Sequence, residues 1–407
     1  MQKLTNQENL KPWKGFVLFV ITLLFLLFVG SYMQMSWGIP GLILTEIGFL
    51  VISIVYCLIN KVSLKEVFPV KKITGRDFFG TLFMFAGGFL LNLVCAGISM
   101  FVLDLLGHKD ALSEASALND FLFGNQMLYI LIVIVVAVTP AICEESIMRG
   151  ALLSSFRGLK SDKLIIFIIG MMFGIFHLSP LRFLNTFCLG MVLAYIMVKK
   201  NNILLPMLVH FLNNFVSSIA GASSNASGEE ISAAMDMVST SMTLGSMLLA
   251  GFLCPLLLVI GAKLLDKENV KGKHFVISGI LSALMLVSGI VILLVSSMNS
   301  LYKDSLLNWN YTFTATEETL ECDNLAESSY TFTEEGTYTF IVSATASKAN
   351  ITFTIEDENG DLVFSQDSTS MLVVSENLEL EPGTYTFYFT SDETIVGKTF
   401  SYQVIIK

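Results

Sequence analysis

Two adjacent glutamates, Glu144 and Glu145, close a run of apolar residues, and Arg149 follows one helical turn on. On a helix Glu145 and Arg149 stand at i, i+4 and can pair, while Glu144 points about 100° away. Farther along, His177 lies in the stretch Phe173–Pro180 (FGIFHLSP), and His210 and Asn214 share one face of PMLVHFLNNF. The chain has four histidines. His108 and His274 sit beside charged residues and read as surface groups, whereas His177 and His210 lie in apolar segments. Carboxylate, imidazole and amide groups are what amide hydrolysis needs: a base to take a proton from water, and donors for the oxyanion that forms. Each piece alone also has a plainer reading. EExxxR is an ordinary surface ion pair at a helix end, a single buried His is a helix–helix hydrogen bond, and HxxxN is weaker still. Three sparse polar groups on three different helices are harder to assign to packing.

The elements that must hold these groups are membrane spans. The chain has 407 residues, 54% of them hydrophobic and 14% charged, with a mean hydropathy of +0.69. A soluble domain carries nearer a quarter charged. Apolar runs that approach the roughly 20 residues a bilayer requires occur at 16–33, 41–58, 78–103, 128–143, 164–178, 183–198, 203–220, 242–265 and 275–295. The expectation is a polytopic α-helical membrane protein with about nine spans. An ionisable group inside such a span is a functional candidate by default. The N-terminal run is too long for a cleavable signal and reads as the first span. Lys and Arg gather in alternate loops, at Lys3, Lys11 and Lys14, at 61–77, after the glutamate pair, at Lys199 and Lys200, and at 263–273. By the positive-inside rule the N-terminus is cytoplasmic, and nine spans put the C-terminus outside; an even count would reverse that.

From about Leu301 the pattern changes to alternation of aromatic or β-branched residues with polar ones. Glu358-Asn359-Gly360 and Pro382-Gly383 supply turns. The expectation is an extracytoplasmic β-sandwich over 301–407, following a membrane domain over 1–300. This tail holds 18 acidic and 4 basic side chains, a net of −14, so the rest of the chain carries +4 of the overall −10. An acidic face of this kind is a solvated surface before it is evidence of a partner. EEGTYTF and EPGTYTF form a weak internal echo, 221–240 reads as a flexible outer loop, and Asn225, Asn310 and Asn350 sit in N-x-S/T tripeptides. The six cysteines show no CxxC spacing and imply no disulfide framework.

Taken together, Glu144-Glu145-Ser-Ile-Met-Arg149, Phe173-Gly-Ile-Phe-His177 and His210-Phe-Leu-Asn-Asn214 resemble the EExxxR, FxxxH and HxxxN motifs of the CAAX protease and bacteriocin-processing family (CPBP, or Abi) of intramembrane proteases. The resemblance covers roughly residues 75–220. It implies a membrane endopeptidase in which Glu144 is the general base, Glu145 and Arg149 position it, and His177, His210 and Asn214 complete the site. Two mechanisms stay open. In one, His177, His210 and Glu144 or Asn214 hold a divalent metal, expected to be zinc, which activates water. In the other, Glu144 and His177 activate the water while His210 and Asn214 donate to the oxyanion. The implied partners are the lipid bilayer and a peptide or membrane-protein substrate, with a role in bacteriocin processing or self-immunity, and no nucleic acid. An outer partner of the β-domain is a further expectation.

Two other functions remain. One is a non-catalytic scaffold that binds through the β-domain. The other is a transporter with Glu144, Glu46 and Asn92 lining a path, for which no inverted repeat is found. One geometric difficulty stands. His177 lies about 20 Å along its helix from Leu164, whereas Glu144 lies at the cytoplasmic end of a span that stops at Cys143. The helix of His177 must then start deeper, tilt or be re-entrant, with Ala151–Lys163 lying in the interface.

Overall fold

A computed structural model describes residues 7–108, 129–223, 239–302, 305–314, 325–391 and 398–407. It divides into two compact units, Met1–Ser296 and Ser297–Lys407. The sequence features at Asn225 and Cys322, and most of the 221–240 loop, lie outside the described residues.

The first unit is helical: α1 (Pro12–Trp37), α2 (Ile39–Ile59), α3 (Gly75–Leu105), α4 (Ile130–Phe156), α5 (Asp162–Phe176), α6 (Pro180–Lys200), α7 (Leu204–Ser223), α8 (Thr240–Leu265) and α9 (Gly272–Asn299). Each expected apolar run falls on one of them. Among the described residues, seven are long and apolar enough to cross a membrane; α5 is shorter, and so is the apolar part of α7, Leu204–Ile219. The starts are set by local chemistry. Thr74 and Asp77 form a reciprocal capping box at α3, the Ser161 side chain caps α5, and Ser179 caps α6 with Pro180 in its first turn. Each satisfies backbone N–H groups that have no helical acceptor.

The expected end of the fourth span at Cys143 is corrected. The helix runs on through Glu144, Glu145 and Arg149 to Phe156, and Ala151 to Phe156 are fully enclosed rather than lying in an interface. Nothing between Glu144 and Phe156 breaks a helix. Gly150 is used for contact: a Cβ there would lie 2.3 Å from the Phe68 ring. Burial of the charges is supported because they pair with one another inside the unit. This extension removes the difficulty of depth. Glu144 lies 12 residues, about 18 Å, before Phe156, and His177 follows Asp162 by 15 residues, about 22 Å. A short turn joins Phe156 to Asp162, so the two groups climb antiparallel helices to the same level.

Ionic contacts tie the shared base of these helices together. Lys199 Nζ lies 3.0 Å from Asp162 and 3.3 Å from Asp266, and Lys200 pairs with Asp77. Arg157 Nη1 donates to Asn201 Oδ1 at 2.8 Å. Above this base, α5 and α6 approach at backbone distance. A Cβ on Gly190 would lie 2.9 Å from the Cβ of Phe173 and 3.0 Å from the Gly170 Cα, so the glycines are what permits the crossing.

The second unit is all-β: β1 (Leu307–Thr314), β2 (Ala326–Phe332), β3 (Gly336–Glu356), β4 (Leu362–Leu380), β5 (Gly383–Ser391) and β6 (Thr399–Ile406). Instead of two separate sheets, it forms one antiparallel sheet in the order β1-β6-β3-β5-β2, with β4 paired to β3. β3 is long enough to serve both wings, pairing β6 over 340–346 and β5 over 351–356. A register shift between Thr345 and Asn350 changes which residues point inward. Phe340, Val342 and Ala344 are buried before it, and Ile351, Phe353 and Ile355 after it: β3 advances five residues while β4 advances two, and an odd shift of three exchanges the two faces. The wings then face each other across aromatic rings: Phe389 of β5 lies 5.6 Å from Phe400 and 5.2 Å from Tyr402 of β6. The expected Asn-Gly turn joins β3 to β4, with Gly360 at φ +80°.

Candidate active site

The motif residues of α4, α5 and α7 converge in the interior of the helical unit. Glu145 and Arg149 are both fully buried and pair at 2.7 Å between Arg149 Nη1 and Glu145 Oε1. Arg149 Nη2 donates to the Gly190 carbonyl at 3.0 Å, and the guanidinium stacks over the Phe173 ring, 4.5 Å from its centroid. Glu145 Oε1 also accepts from His210 Nδ1 at 2.8 Å. The buried pair thus positions His210, not Glu144 as the resemblance implied. A carboxylate that accepts two charge-assisted bonds is well compensated for its loss of water.

Glu144, one residue back, faces elsewhere. It lines a cavity of about 310 Å³ together with His177, Arg182, His210, Asn213 and Asn214, whereas Glu145 and Arg149 do not reach it. The 100° offset along α4 therefore separates a structural carboxylate from an open one. Glu144 Oε2 is buried without a hydrogen-bond partner and lies 4.0 Å from His210 Nε2. That gap is too long for a direct bond and suits one bridging water.

His177 caps the C-terminus of α5. Its Nδ1 lies 2.8 Å from the Phe173 carbonyl; a carbonyl only accepts, so Nδ1 carries the proton and Nε2 faces outward as the open nitrogen. The next residue, Leu178, is left-handed at φ +52°, an uncommon conformation for a leucine. It turns the chain into the capped start of α6. Phe173 meets both imidazoles edge-on, at 4.7 Å from His177 and 5.8 Å from His210. One ring thus spaces the arginine and both histidines.

Asn214 has a definite structural duty. Pro140 has no N–H, so the carbonyl of Val136, four residues earlier, lacks its helical donor. Asn214 Nδ2 supplies one at 3.0 Å. Its Oδ1 accepts from Asn213 at 3.2 Å, and Asn213 in turn accepts from Asn92 of α3 at 3.3 Å. One N–H of Asn214 is left for a ligand. The nearby backbone is π-helical at Ile134–Val138 and Ser146–Leu152, a distortion frequent at functional sites.

All six expected site residues therefore lie in one cluster. The expectation had omitted the role of Phe173, the Asn92–Asn213 chain and Arg182, which lines the cavity. For Asn92 the signal was present, an amide inside an apolar span. For Phe173 and Arg182 the relevant contacts are between helices, and spacing along the chain does not show them. The expected metal set fits less well. Both histidines hold Nδ1 on an oxygen and offer Nε2, as zinc ligands do. Yet among the described residues no three His, Cys, Asp or Glu side chains come together to hold a metal ion, and Asn214 Oδ1 already accepts from Asn213.

Residues 126–216 match a family model described as Rce1-like, type II CAAX prenyl endopeptidase Rce1-like. The match runs from the start of α4 into α7 and contains every motif residue. No curated protein matches the chain closely enough to count as a relative. This segment, which carries the whole cluster, is thus similar to the type II CAAX prenyl endopeptidase family.

Proposed function

We propose that the protein is an intramembrane endopeptidase that hydrolyses a peptide bond delivered into the cavity between α4, α5, α6 and α7. The observation that carries this reading is the orphaned Glu144 oxygen, 4.0 Å from His210 Nε2 and lining one cavity with His177 and Asn214 within apolar helices. Glu144 takes the proton from water as it attacks the carbonyl carbon and delivers it to the leaving amine. His177 Nε2 accepts from the same water and aligns it. The free N–H of Asn214, and His210 when protonated at Nε2 against the Glu144 and Glu145 carboxylates, donate to the oxyanion. Arg149 and Glu145 hold His210 in place.

A zinc ion bound through the Nε2 atoms of His177 and His210, with Glu144 or Asn214 beside it, is the second reading. The tied Nδ1 atoms favour it and the lack of three convergent donors disfavours it, so no step above depends on a metal. Substrates in view are a leader peptide, a bacteriocin precursor or another membrane protein. The loop charges support a multi-pass protein of the cell membrane with a cytoplasmic N-terminus and an extracytoplasmic β-domain that recruits a partner or substrate. The test is purification of wild type, Glu144→Gln, His177→Ala and His210→Ala, with metal content and cleavage of a library of prenylated and unprenylated peptides. Loss of cleavage by about 10²- to 10⁴-fold in Glu144→Gln is expected. Cleavage that survives this change sinks the assignment, and stoichiometric zinc lost in both histidine variants selects the second reading. An inert wild type favours the scaffold.

A further inference from the structure

Asn92 lies in the middle of α3, in the apolar stretch FLLNLVC. It belongs to none of the three motifs and stands outside residues 126–216, which match the family model. An amide in an apolar span costs free energy unless its N–H groups and its oxygen find partners.

Its orientation is fixed by a chain of amides that starts at a backbone carbonyl. The Val136 carbonyl, left without a helical donor by Pro140, can only accept, so Asn214 turns Nδ2 to it at 3.0 Å. Asn214 Oδ1 then meets Asn213 Nδ2 at 3.2 Å, and Asn213 Oδ1 meets Asn92 Nδ2 at 3.3 Å. Each amide passes on the polarity of the one before. A flip of any of them would set two donors or two acceptors against each other. Asn92 is therefore held with Nδ2 on Asn213 and with Oδ1 turned from it. That oxygen is buried without a hydrogen-bond partner, and Asn92 lines the same cavity as Glu144, His177 and Asn214. Ser217 and Ser218, which line the cavity from α7, give their hydroxyls to the carbonyls of Asn213 and Phe215.

The wall thus holds an acceptor of known orientation that lacks a donor. A bound peptide has the complementary need. It carries one N–H per residue, and each N–H brought among apolar helices loses its water. We propose that Asn92 is a substrate-binding residue: its Oδ1 accepts one backbone N–H of the peptide close to the scissile bond, while its Nδ2 stays on Asn213. This rests on the protease reading of the cavity. One chain of amides then serves both sides of the reacting unit, with Asn214 donating to the oxyanion and Asn92 accepting from the main chain nearby. Such a contact sets the register of the peptide without selecting a side chain.

The experiment is an ester scan on the full chain in lipid. A library peptide that the wild type cuts is remade with an ester oxygen in place of one backbone N–H at a time, the scissile amide excepted. Each ester removes a donor and adds no bulk. In wild type, one position is expected to lose about 10- to 100-fold in kcat/KM. Asn92→Leu should cut the amide and ester peptides of that position equally, and both more slowly than wild type cuts the amide. Asn92→Asp, which keeps an acceptor oxygen, should restore the discrimination, and Asn92→Ala repeats the test with a smaller side chain. An Asn92 that only supports Asn213 would lower cleavage of every peptide by one factor and leave the ester penalty intact. That result overturns the proposal, as does a wild type indifferent to the ester at every position. If the wild type cuts no library peptide, the protease reading fails, and the same peptides are compared by binding. A loss of affinity for one ester that vanishes in Asn92→Leu upholds the contact; equal affinities, or no binding, overturn it.

Discussion

The two units bury opposite chemistries. In the helical unit the fully enclosed side chains include Arg149 and Glu145, while Phe28, Met35 and Leu284 are exposed at 72, 88 and 58%. In the β unit the enclosed side chains are Phe340, Phe353, Phe387, Phe389 and Phe400, and the exposed strand positions are mostly Thr, Ser, Asn and acidic residues. The difference follows from the surroundings each unit is built for. Where water is outside, apolar area is removed from it. Where hydrocarbon is outside, apolar burial gains little. Helices there are held by close packing at small residues and by polar groups that find partners only inside. The same interior that stabilises the helical unit can therefore hold the charged groups of a catalytic site.

The sharpest test of this contrast is removal of one enclosed group from each unit. Arg149→Met leaves Glu145 buried with His210 alone and is expected to cost about 3–5 kcal/mol. Phe389→Ala in the β unit should cost a similar ~3–5 kcal/mol through its cavity. The two differ under a second change: adding Glu145→Gln to Arg149→Met should recover part of the loss, because the stranded charge is gone. Unfolding of each variant by denaturant in mixed micelles measures this. No recovery in the double variant would mean that the ion pair acts through packing alone.

Exposed positions should respond in opposite ways to one substitution. Leu284→Asp near the middle of α9 is expected to cost roughly 3–4 kcal/mol in a membrane-insertion assay. Val373→Asp on β4, 64% exposed, should change stability by no more than about 0.5 kcal/mol. Equal effects would erase the distinction between the two surfaces.

A smaller change probes the backbone approach that supports the site. Gly190→Ala forces a Cβ against Phe173 and the Gly170 backbone, at a cost of about 1–3 kcal/mol. Because Phe173 spaces both histidines, cleavage should fall more than stability does, as steady-state kinetics beside the unfolding midpoint would show.

The smallest effect is a pH response at the β3–β4 turn. The Asp357 carboxylate accepts the backbone N–H of Asp361 at 2.8 Å and of Asn359 at 2.9 Å, which holds its carboxyl below the usual carboxylate range. The turn's share of stability is then present above the unfolded value of about 3.9 and is lost as pH falls through the lower folded value. An NMR titration of Asp357 checks the direction, and Asp357→Asn should remove it.

Much of this was legible before any coordinates. Apolar run lengths located the helices, and alternation together with Asn359-Gly360 located the β3–β4 hairpin. Rarity of charge in apolar segments singled out Glu144, Glu145, Arg149, His177, His210 and Asn214. What misled was a local cue. A charged pair after fifteen apolar residues reads as a membrane boundary, because along the chain a charge and a boundary look the same. The pairing of Arg149 with the Gly190 carbonyl and the Phe173 ring is an event between helices, and it let α4 continue inward. The same limit hid the single folded sheet, since a register shift within β3 leaves the aromatic alternation on each side intact.

Composition and periodicity by themselves determined the two units, the position of each helix and the identity of the chemically able residues, because those properties depend on near neighbours and on the choice between lipid and water. Only the tertiary structure decided which glutamate is tied to arginine and histidine and which faces the cavity, and that Asn214 serves the carbonyl left by Pro140. Those outcomes depend on how the described helices rotate about their axes and cross at glycines. That rotation is settled by the sum of contacts from segments far apart in the chain.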